Sequence, residues 1–219
     1  MGRIDDIGIS LKAAYPNWEY TFSQDELTAF GTLTITDCVG EFWESYTIKM
    51  VVPSNYPQNL PVVYEVSDKL KKSVSEHFFS DDNSCCLGLK TDILLKLRNN
   101  TSITNFVNLA VYPFFLQQTY RYKSSETAYL KELSHHHGGP IDFYLSYFEV
   151  ENTNSALTIL GRVAGILKGI GPNSKCFCSK RKLKKCIRHN LKVQQLIRYV
   201  GKNQLQNDYY LMHHLIHKK

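Results

Sequence analysis

The chain has 219 residues, of which 43% are hydrophobic and 21% charged, and this composition excludes a chain that is disordered throughout. Its longest apolar stretches fall short of the ~20 residues that cross a bilayer. The first residues include Asp5 and Asp6 and do not resemble a signal peptide. We therefore expect a cytoplasmic protein that does not associate with a membrane.

Charge is distributed unevenly along the chain. Residues 172–219 contain 12 Lys and Arg residues and a single acid, whereas residues 1–171 carry a formal charge of −5. Gly and Pro accumulate at 165–172, as they do in linkers. We therefore predict two domains, the first at 1–168 with a helical extension and the second a basic tail at 169–219.

The basic tail predicts an acidic partner. Nucleic acid is one candidate, and its binding would be sensitive to salt. We expect the tail to lack interleaved exposed aromatic residues of the kind on which bases stack, and this favours a protein partner. A solvated basic face without a partner is the alternative.

The first half of the chain combines one helix with a series of strands. Apolar spacing predicts a helix at 3–15, which Pro16 ends. Alternating or β-branched residues then predict strands at 18–22, 27–36, 42–52 and 61–66. The short connections favour an antiparallel meander.

Regular patterning stops at 67–90, and loops of this length are uncommon unless they have a function. Strong apolar spacing then predicts helices at 102–122 (with a kink at Pro113), 141–150 and 155–167, and two basic helices within 191–219. The order of elements defines an α+β fold in which helices cover one face of the sheet.

The six cysteines are grouped in a way that does not suggest a secreted disulfide framework. Cys85 and Cys86 lie in the irregular segment, and Cys86 follows His77 by nine residues. Sulfur is nucleophilic at neutral pH and is a good leaving group, so an exposed loop cysteine suits acyl transfer between proteins. A buried structural thiol is the alternative for Cys86, and a structural role is the alternative for His77.

An ordered set of residues resembles the ubiquitin-conjugating enzymes. The set comprises Tyr46–Met50, Pro53, Tyr56, Pro57, Leu60, Pro61, His77, Cys86 and Leu87, and the resemblance covers roughly residues 3–122. It implies the ubiquitin-conjugating (UBC) fold: an N-terminal helix, an antiparallel meander sheet, an active-site loop and C-terminal helices. It also implies that Cys86 carries an acyl group as a thioester.

Two features depart from that family. Phe79 stands where the family has the asparagine of its His-Pro-Asn motif, and the tryptophan that usually follows the cysteine is missing. Such departures are typical of divergent bacterial relatives, some of which accompany antiviral systems that use cyclic oligonucleotides. The resemblance then implies three partners: a ubiquitin-like modifier, its activating protein, and an acceptor protein such as a nucleotidyltransferase. A non-catalytic adaptor with the same fold is the alternative.

Some neighbouring residues have open roles. Cys85 occupies a place that is apolar in the family, so we expect it to face the core, although it could be the nucleophile itself. Asn83, Ser84 or backbone N–H groups are candidates to support an oxyanion. His137, the last of three consecutive histidines, is a candidate to assist the thiol, whereas a loop feature or a fortuitous metal-binding tract would also explain the run.

Cys176, Cys178, Cys186 and His189 have the spacing of a metal site. Three thiolates and one imidazole match a closed, tetrahedral, structural zinc site. The segment resembles the SEC-C motif, although it is one residue short between Cys178 and Cys186 and places His189 three positions after Cys186. His189 is therefore the least secure of the four zinc ligands.

Overall fold

A computed structural model describes residues 3–123, 138–178 and 181–218. The chain divides into two compact units, Met1–Glu132 and Leu133–Lys219. This division does not coincide with the expected boundary after residue 168. Two helices that we had assigned to the first domain belong to the second unit, because they pack with the helices of the basic tail.

The first unit has the α+β architecture expected from the sequence. Within the described residues, its four strands form one antiparallel sheet in the order β1-β2-β3-β4. The predicted strands are therefore confirmed, with ends that differ by at most one residue. The elements are α1 (Arg3–Ala14), β1 (Glu19–Phe22), β2 (Glu26–Thr36), β3 (Phe42–Pro53) and β4 (Val62–Glu65).

One face of the sheet is buried because apolar residues alternate along its central strands. On β2 the buried side chains are Leu27, Ala29, Leu33 and Ile35, and β3 continues the same layer with Tyr46, Ile48, Met50 and Val52. Helix α1 and the long helical run that follows the sheet contact this face. The core of the first unit lies between them.

The segment after β4 is irregular, as predicted, with a short 3₁₀ turn at Val74–Glu76. It ends at α2 (Lys90–Lys96), a short helix that the sequence pattern did not reveal. The predicted helix at 102–122 is present as α3 (Ile103–Phe106), a π-helical turn (Val107–Val111) and α4 (Tyr112–Lys123). The π-helical turn ends two residues before Pro113, which has no N–H to donate to the preceding turn.

The second unit consists of helices and a small loop region. Its helices are α5 (Gly138–Phe148), α6 (Thr153–Val163), α7 (Ile187–Gln195) and α8 (Lys202–His217), and a π-helical turn (Leu196–Val200) continues α7. Helices α5, α6 and α8 contact one another. The Tyr144 hydroxyl donates to the buried Asp208 carboxylate at 2.6 Å, which links α5 to α8.

No helix in the described parts of the chain combines the length and the apolar character that a membrane crossing requires.

Gly31 is required by the packing of Trp18 on the sheet. A Cβ at position 31 would lie 2.2 Å from the indole ring, which is held by a hydrogen bond of 3.0 Å from its N–H to the Thr32 carbonyl. We expect Gly31→Ala to destabilise the first unit by about 1–3 kcal/mol. Denaturant unfolding monitored by tryptophan fluorescence measures this, because Trp18 and Trp43 both lie in the first unit.

Thr34→Ala is the matched control for that measurement, since Thr34 lies on the exposed face of the same strand. It should cost less than about 1 kcal/mol. Equal stability of Gly31→Ala and the original protein would show that the indole does not pack against this glycine.

Candidate functional site

A tight hairpin carries the adjacent cysteines of the first unit. Phe78 and Cys85 form an antiparallel bridge, and the Phe79 N–H donates to the Ser84 carbonyl at 2.9 Å. Asn83 adopts a left-handed backbone conformation (φ 58°), which asparagine tolerates better than most residues. The hairpin spans residues 78–85, and Cys86 follows at its base.

The hairpin is docked on β4, and this docking orients the two thiols. The Cys85 N–H donates to the Val63 carbonyl at 2.7 Å, and the Tyr64 hydroxyl donates to Asp82 at 3.2 Å. Cys85 is only 5% exposed and belongs to the core of the first unit. Cys86 is partly exposed. The prediction that Cys85 faces the core is therefore confirmed.

Burial raises the pKa of both thiols, and the effect is larger at Cys85. At Cys86 a hydrogen bond with the backbone of Gly88 acts in the opposite direction and favours the thiolate. Gly88 is exposed, and a Cβ placed on it would have no heavy atom of the described residues within 4 Å. Cys86 is thus largely protonated at neutral pH. The described residues leave open space at Gly88, two positions after it in the chain.

The structure brings the backbone of His77 against Cys86. The Cys86 N–H donates to the His77 carbonyl at 2.8 Å, and His77 itself has a left-handed backbone conformation (φ 60°) and a half-buried side chain. His77 therefore helps to fix the position of Cys86 through its main chain. His137 lies outside the described residues.

The candidates for oxyanion support differ in their availability. Ser84 is buried, its N–H donates to Asp82 at 2.9 Å, and its hydroxyl lowers the pKa of the same carboxyl group. The Asn83 N–H already donates to the Phe79 carbonyl at 2.9 Å, but the Asn83 side chain is exposed. Phe79, at the start of the hairpin, is 52% exposed.

Sequence reasoning missed the buried carboxylate of Glu65. Its Oε1 accepts hydrogen bonds from the Ser67 N–H at 2.8 Å and from the Ser67 hydroxyl, and Lys72 Nζ lies 3.3 Å from Oε2. These contacts hold the segment that leads towards the hairpin. Alternation along β4 could have indicated the buried position, since Val63 and Glu65 share one face.

In the second unit, a short hairpin and the start of α7 assemble the Cys/His cluster. Lys175 pairs with Lys182 in an antiparallel bridge, and the Cys176 N–H donates to the Arg181 carbonyl at 2.9 Å. Cys186 is the residue that precedes α7, and His189 lies in the first turn of that helix. The hairpin thus supplies the first two sulfur atoms, and the helix start supplies the third sulfur atom and the imidazole.

The four side chains converge closely enough to hold one metal ion. Their ligand atoms all lie within 4.8 Å of one another. The Cys178 and Cys186 sulfur atoms are 3.9 Å apart, and His189 Nδ1 lies 3.1 Å from Cys176 Sγ and 3.5 Å from Cys186 Sγ. Tetrahedral coordination with metal–sulfur bonds of ~2.3 Å requires sulfur–sulfur separations of roughly 3.8 Å. The spacing predicted from the sequence therefore brings all four residues together.

The protonation states in the cluster also suit a cation. Burial raises the pKa of Cys176 to about 12, so a thiolate there needs a positive charge close by. Burial lowers the pKa of His189, which favours the neutral imidazole that binds metals. Phe177 packs on the His189 ring with a centroid distance of 4.2 Å and helps to exclude water.

Comparison with protein-family models, curated proteins and solved structures finds no match for this chain.

Thiol labelling should separate the three cysteines of the first unit. We expect a small alkylating reagent to modify Cys86 and the exposed Cys38, whereas the buried Cys85 reacts at least about tenfold more slowly. Because the pKa of Cys86 is raised, its rate should keep increasing with pH above the ordinary thiol value. Peptide mass spectrometry across pH 6–10 measures these rates, with Cys38 as the internal reference. Faster labelling of Cys85 than of Cys86 would contradict this orientation.

Loss of one sulfur from the Cys/His cluster should weaken metal binding. We expect Cys176→Ala to lower the affinity for a divalent metal by about 10²-fold, since four ligands share the total binding free energy. Cys38→Ala, which removes an exposed thiol of the first unit, is the matched control and should not change the affinity. Elemental analysis and chelator competition on the full chain provide the readout. An unchanged metal content in Cys176→Ala would exclude this cluster as the site.

Proposed function

We propose that this chain is a cysteine acyltransferase with the UBC fold, in which Cys86 carries the acyl group as a thioester. The main support for this proposal is the different placement of two adjacent thiols. Cys85 lies in the core, whereas Cys86 is partly exposed at the base of a docked hairpin. The four-stranded antiparallel meander, the long segment after it and the apolar helical run of 103–123 support the fold assignment. Residues 3–122 are the part to which it applies.

The proposed reaction consists of two acyl transfers. In the first, the Cys86 sulfur attacks the carbonyl carbon of a donor thioester. The new C–S bond forms, the donor's C–S bond breaks, and the departing thiol receives the proton that Cys86 loses. In the second, an amine of the acceptor attacks the same carbonyl, a C–N bond forms, and Cys86 leaves and is reprotonated.

The raised pKa of Cys86 fits this chemistry. A donor that is already activated as a thioester does not need a strongly ionised nucleophile, and a small thiolate fraction is enough for exchange. A less ionised thiol also reacts more slowly with oxidants and other electrophiles. His77 positions the loop through its carbonyl, and the exposed Asn83 side chain is the candidate for oxyanion support. His137 is retained as a candidate assistant.

We further propose that the Cys/His cluster binds zinc in a structural role. Three thiolates with one imidazole form a donor set that selects a soft, tetrahedral ion, and all four positions would be filled by protein, so no position remains for a substrate. Zinc would replace the hydrophobic core that the small hairpin at 175–182 lacks. Its contribution here is to hold Cys176, Cys178, Cys186 and His189 in place.

The basic second unit is the proposed docking element. Residues 172–219 carry a formal charge of +11, and long-range attraction would accelerate association with an acidic partner. The proposed partners are a ubiquitin-like modifier with its activating protein, and an acceptor protein such as a nucleotidyltransferase of a bacterial antiviral system. Nucleic acid is the second candidate for the basic surface. A cytoplasmic location agrees with reduced thiols.

A non-catalytic adaptor is the second candidate function. The observation that favours it is Phe79, which presents an exposed aromatic ring where the family has an asparagine that supports transfer. In this case the first unit would present a binding surface, and Cys86 would be a bystander.

Acylation by a peptide thioester tests the transferase proposal. We expect a synthetic peptide thioester that ends in Gly-Gly to acylate Cys86, with an intact-mass increase that a reducing thiol reverses. Cys86→Ser should abolish this thiol-sensitive adduct and leave at most a resistant ester, whereas the control Cys38→Ser should acylate normally. Peptide mapping that places the thiol-sensitive adduct on Cys85, or that finds none on Cys86, would refute the role of Cys86. Labelling by an alkylating reagent without acylation would favour the adaptor.

A further inference from the structure

Glu149, which follows the last residue of α5, lies beside the Cys/His cluster. It adopts a left-handed backbone conformation (φ 58°), and the Val150 N–H donates to the Leu145 carbonyl at 3.1 Å, so the end of α5 is a closed turn. This turn directs the Glu149 side chain towards the first turns of α7. The residue lies well before the four clustered residues in the sequence and belongs to no motif that we recognised.

The Glu149 carboxylate contacts three side chains of α7. Lys192 Nζ lies 2.5 Å from Oε1, Arg188 forms a second ion pair with the same oxygen atom, and His189 Nε2 lies 3.7 Å from Oε2. Lys192 is itself attached to α5, because its Nζ donates to the Tyr147 carbonyl at 2.6 Å. The Tyr147 hydroxyl completes the attachment by donating to the Lys192 carbonyl at 3.0 Å.

The two nitrogen atoms of His189 face different groups. Nδ1 faces the sulfur atoms of Cys176 and Cys186 at 3.1 and 3.5 Å. Nε2 is buried and has no hydrogen-bond partner among the described residues, and the whole side chain is only 7% exposed. A metal on Nδ1 leaves the ring proton on Nε2, which must then donate to an acceptor or remain unsatisfied at a cost. Glu149 Oε2 is an acceptor on that side of the ring.

We infer that Glu149 is the outer-sphere carboxylate of the metal centre. It accepts the Nε2–H of His189, fixes the tautomer in which Nδ1 binds the metal, and so connects α5 to the ligand set. The separation of 3.7 Å needs to shorten by about 0.9 Å to form a normal charge-assisted hydrogen bond. This inference rests on the metal centre proposed above.

Charge balance supports the same assignment. A divalent ion with three thiolates carries one net negative charge, and Glu149 adds a second beside it. Arg188 and Lys192 supply two positive charges at the Glu149 carboxylate, so the group as a whole is neutral. Without these two cations, the negatively charged metal centre would repel the Glu149 carboxylate. Arg188 and Lys192 offset this repulsion.

The assignment extends the metal centre beyond residues 176–189. Metal binding then stabilises the contact between α5 and α7 and not only the hairpin at 175–182. The second unit becomes one metal-dependent folding unit, whereas a tail that begins at residue 169 would lack the outer-sphere carboxylate.

Zinc competition on the full chain tests the inference. We expect Glu149→Gln, which keeps the shape but removes the negative charge, to weaken zinc binding by about 10- to 100-fold in a chelator titration. Glu151→Gln, at an exposed carboxylate two residues further on, is the matched control and should change the affinity by less than about threefold. Arg188→Gln removes an ion pair of Glu149 without altering the carboxylate and should have a smaller effect than Glu149→Gln.

A measurement on the unaltered protein is independent of whether the variants fold. In a long-range ¹H–¹⁵N spectrum of the zinc-bound chain, we expect His189 to show a metal-bound Nδ1 and a protonated Nε2, and the Nε2–H signal to shift in Glu149→Gln. Three results would overturn the inference: coordination through Nε2, zinc affinity of Glu149→Gln within about twofold of the original, or an equal loss in Arg188→Gln. If the unaltered chain binds no zinc, the metal centre itself fails, and the inference fails with it. If it binds zinc and Glu149→Gln is unaffected, only the role of Glu149 fails.

Discussion

The hydrogen bond from the Cys85 N–H to the Val63 carbonyl is the contact on which the proposed chemistry depends. It holds the hairpin of residues 78–85 against β4 and places the Cys85 side chain in the core. Cys86 follows at the base of the hairpin, where its N–H donates to the His77 carbonyl and its side chain is partly exposed.

A second constraint operates in the other unit, where a small polar segment must keep a fixed shape. The hairpin at 175–182 contains few residues that could form a core, and its Cys176 thiol is buried where the ionised form is costly. A divalent cation would relieve both difficulties, because it would compensate the thiolate charge and link the hairpin to α7. The same ion would then require a proton acceptor for the second nitrogen of His189, and Glu149 at the end of α5 supplies a carboxylate at that place.

Much of the fold could be predicted from local patterns. Alternation identified the strands of the sheet, and the helical spacing of apolar residues identified α1 and the run at 103–123. The four residues of the Cys/His cluster were also predictable, because metal ligands on a short segment have characteristic spacings. Helix α2 was missed since its seven residues are too few to display a period. The π-helical turn before Pro113 was missed because propensity does not distinguish it from a kink.

The sequence by itself determined the order of elements, the uneven charge and the residue types that could act as nucleophile or metal ligand, because these depend on neighbours within a few positions. Only the tertiary structure revealed the contact that fixes the predicted inward orientation of Cys85, since pairing with β4 joins residues about 20 positions apart. It also decided that the Glu65 carboxylate accepts hydrogen bonds from Ser67 and that the Glu149 carboxylate lies beside the His189 ring. Such contacts leave no local pattern, because the packing of whole helices and strands, and not the spacing of residues, brings the partners together.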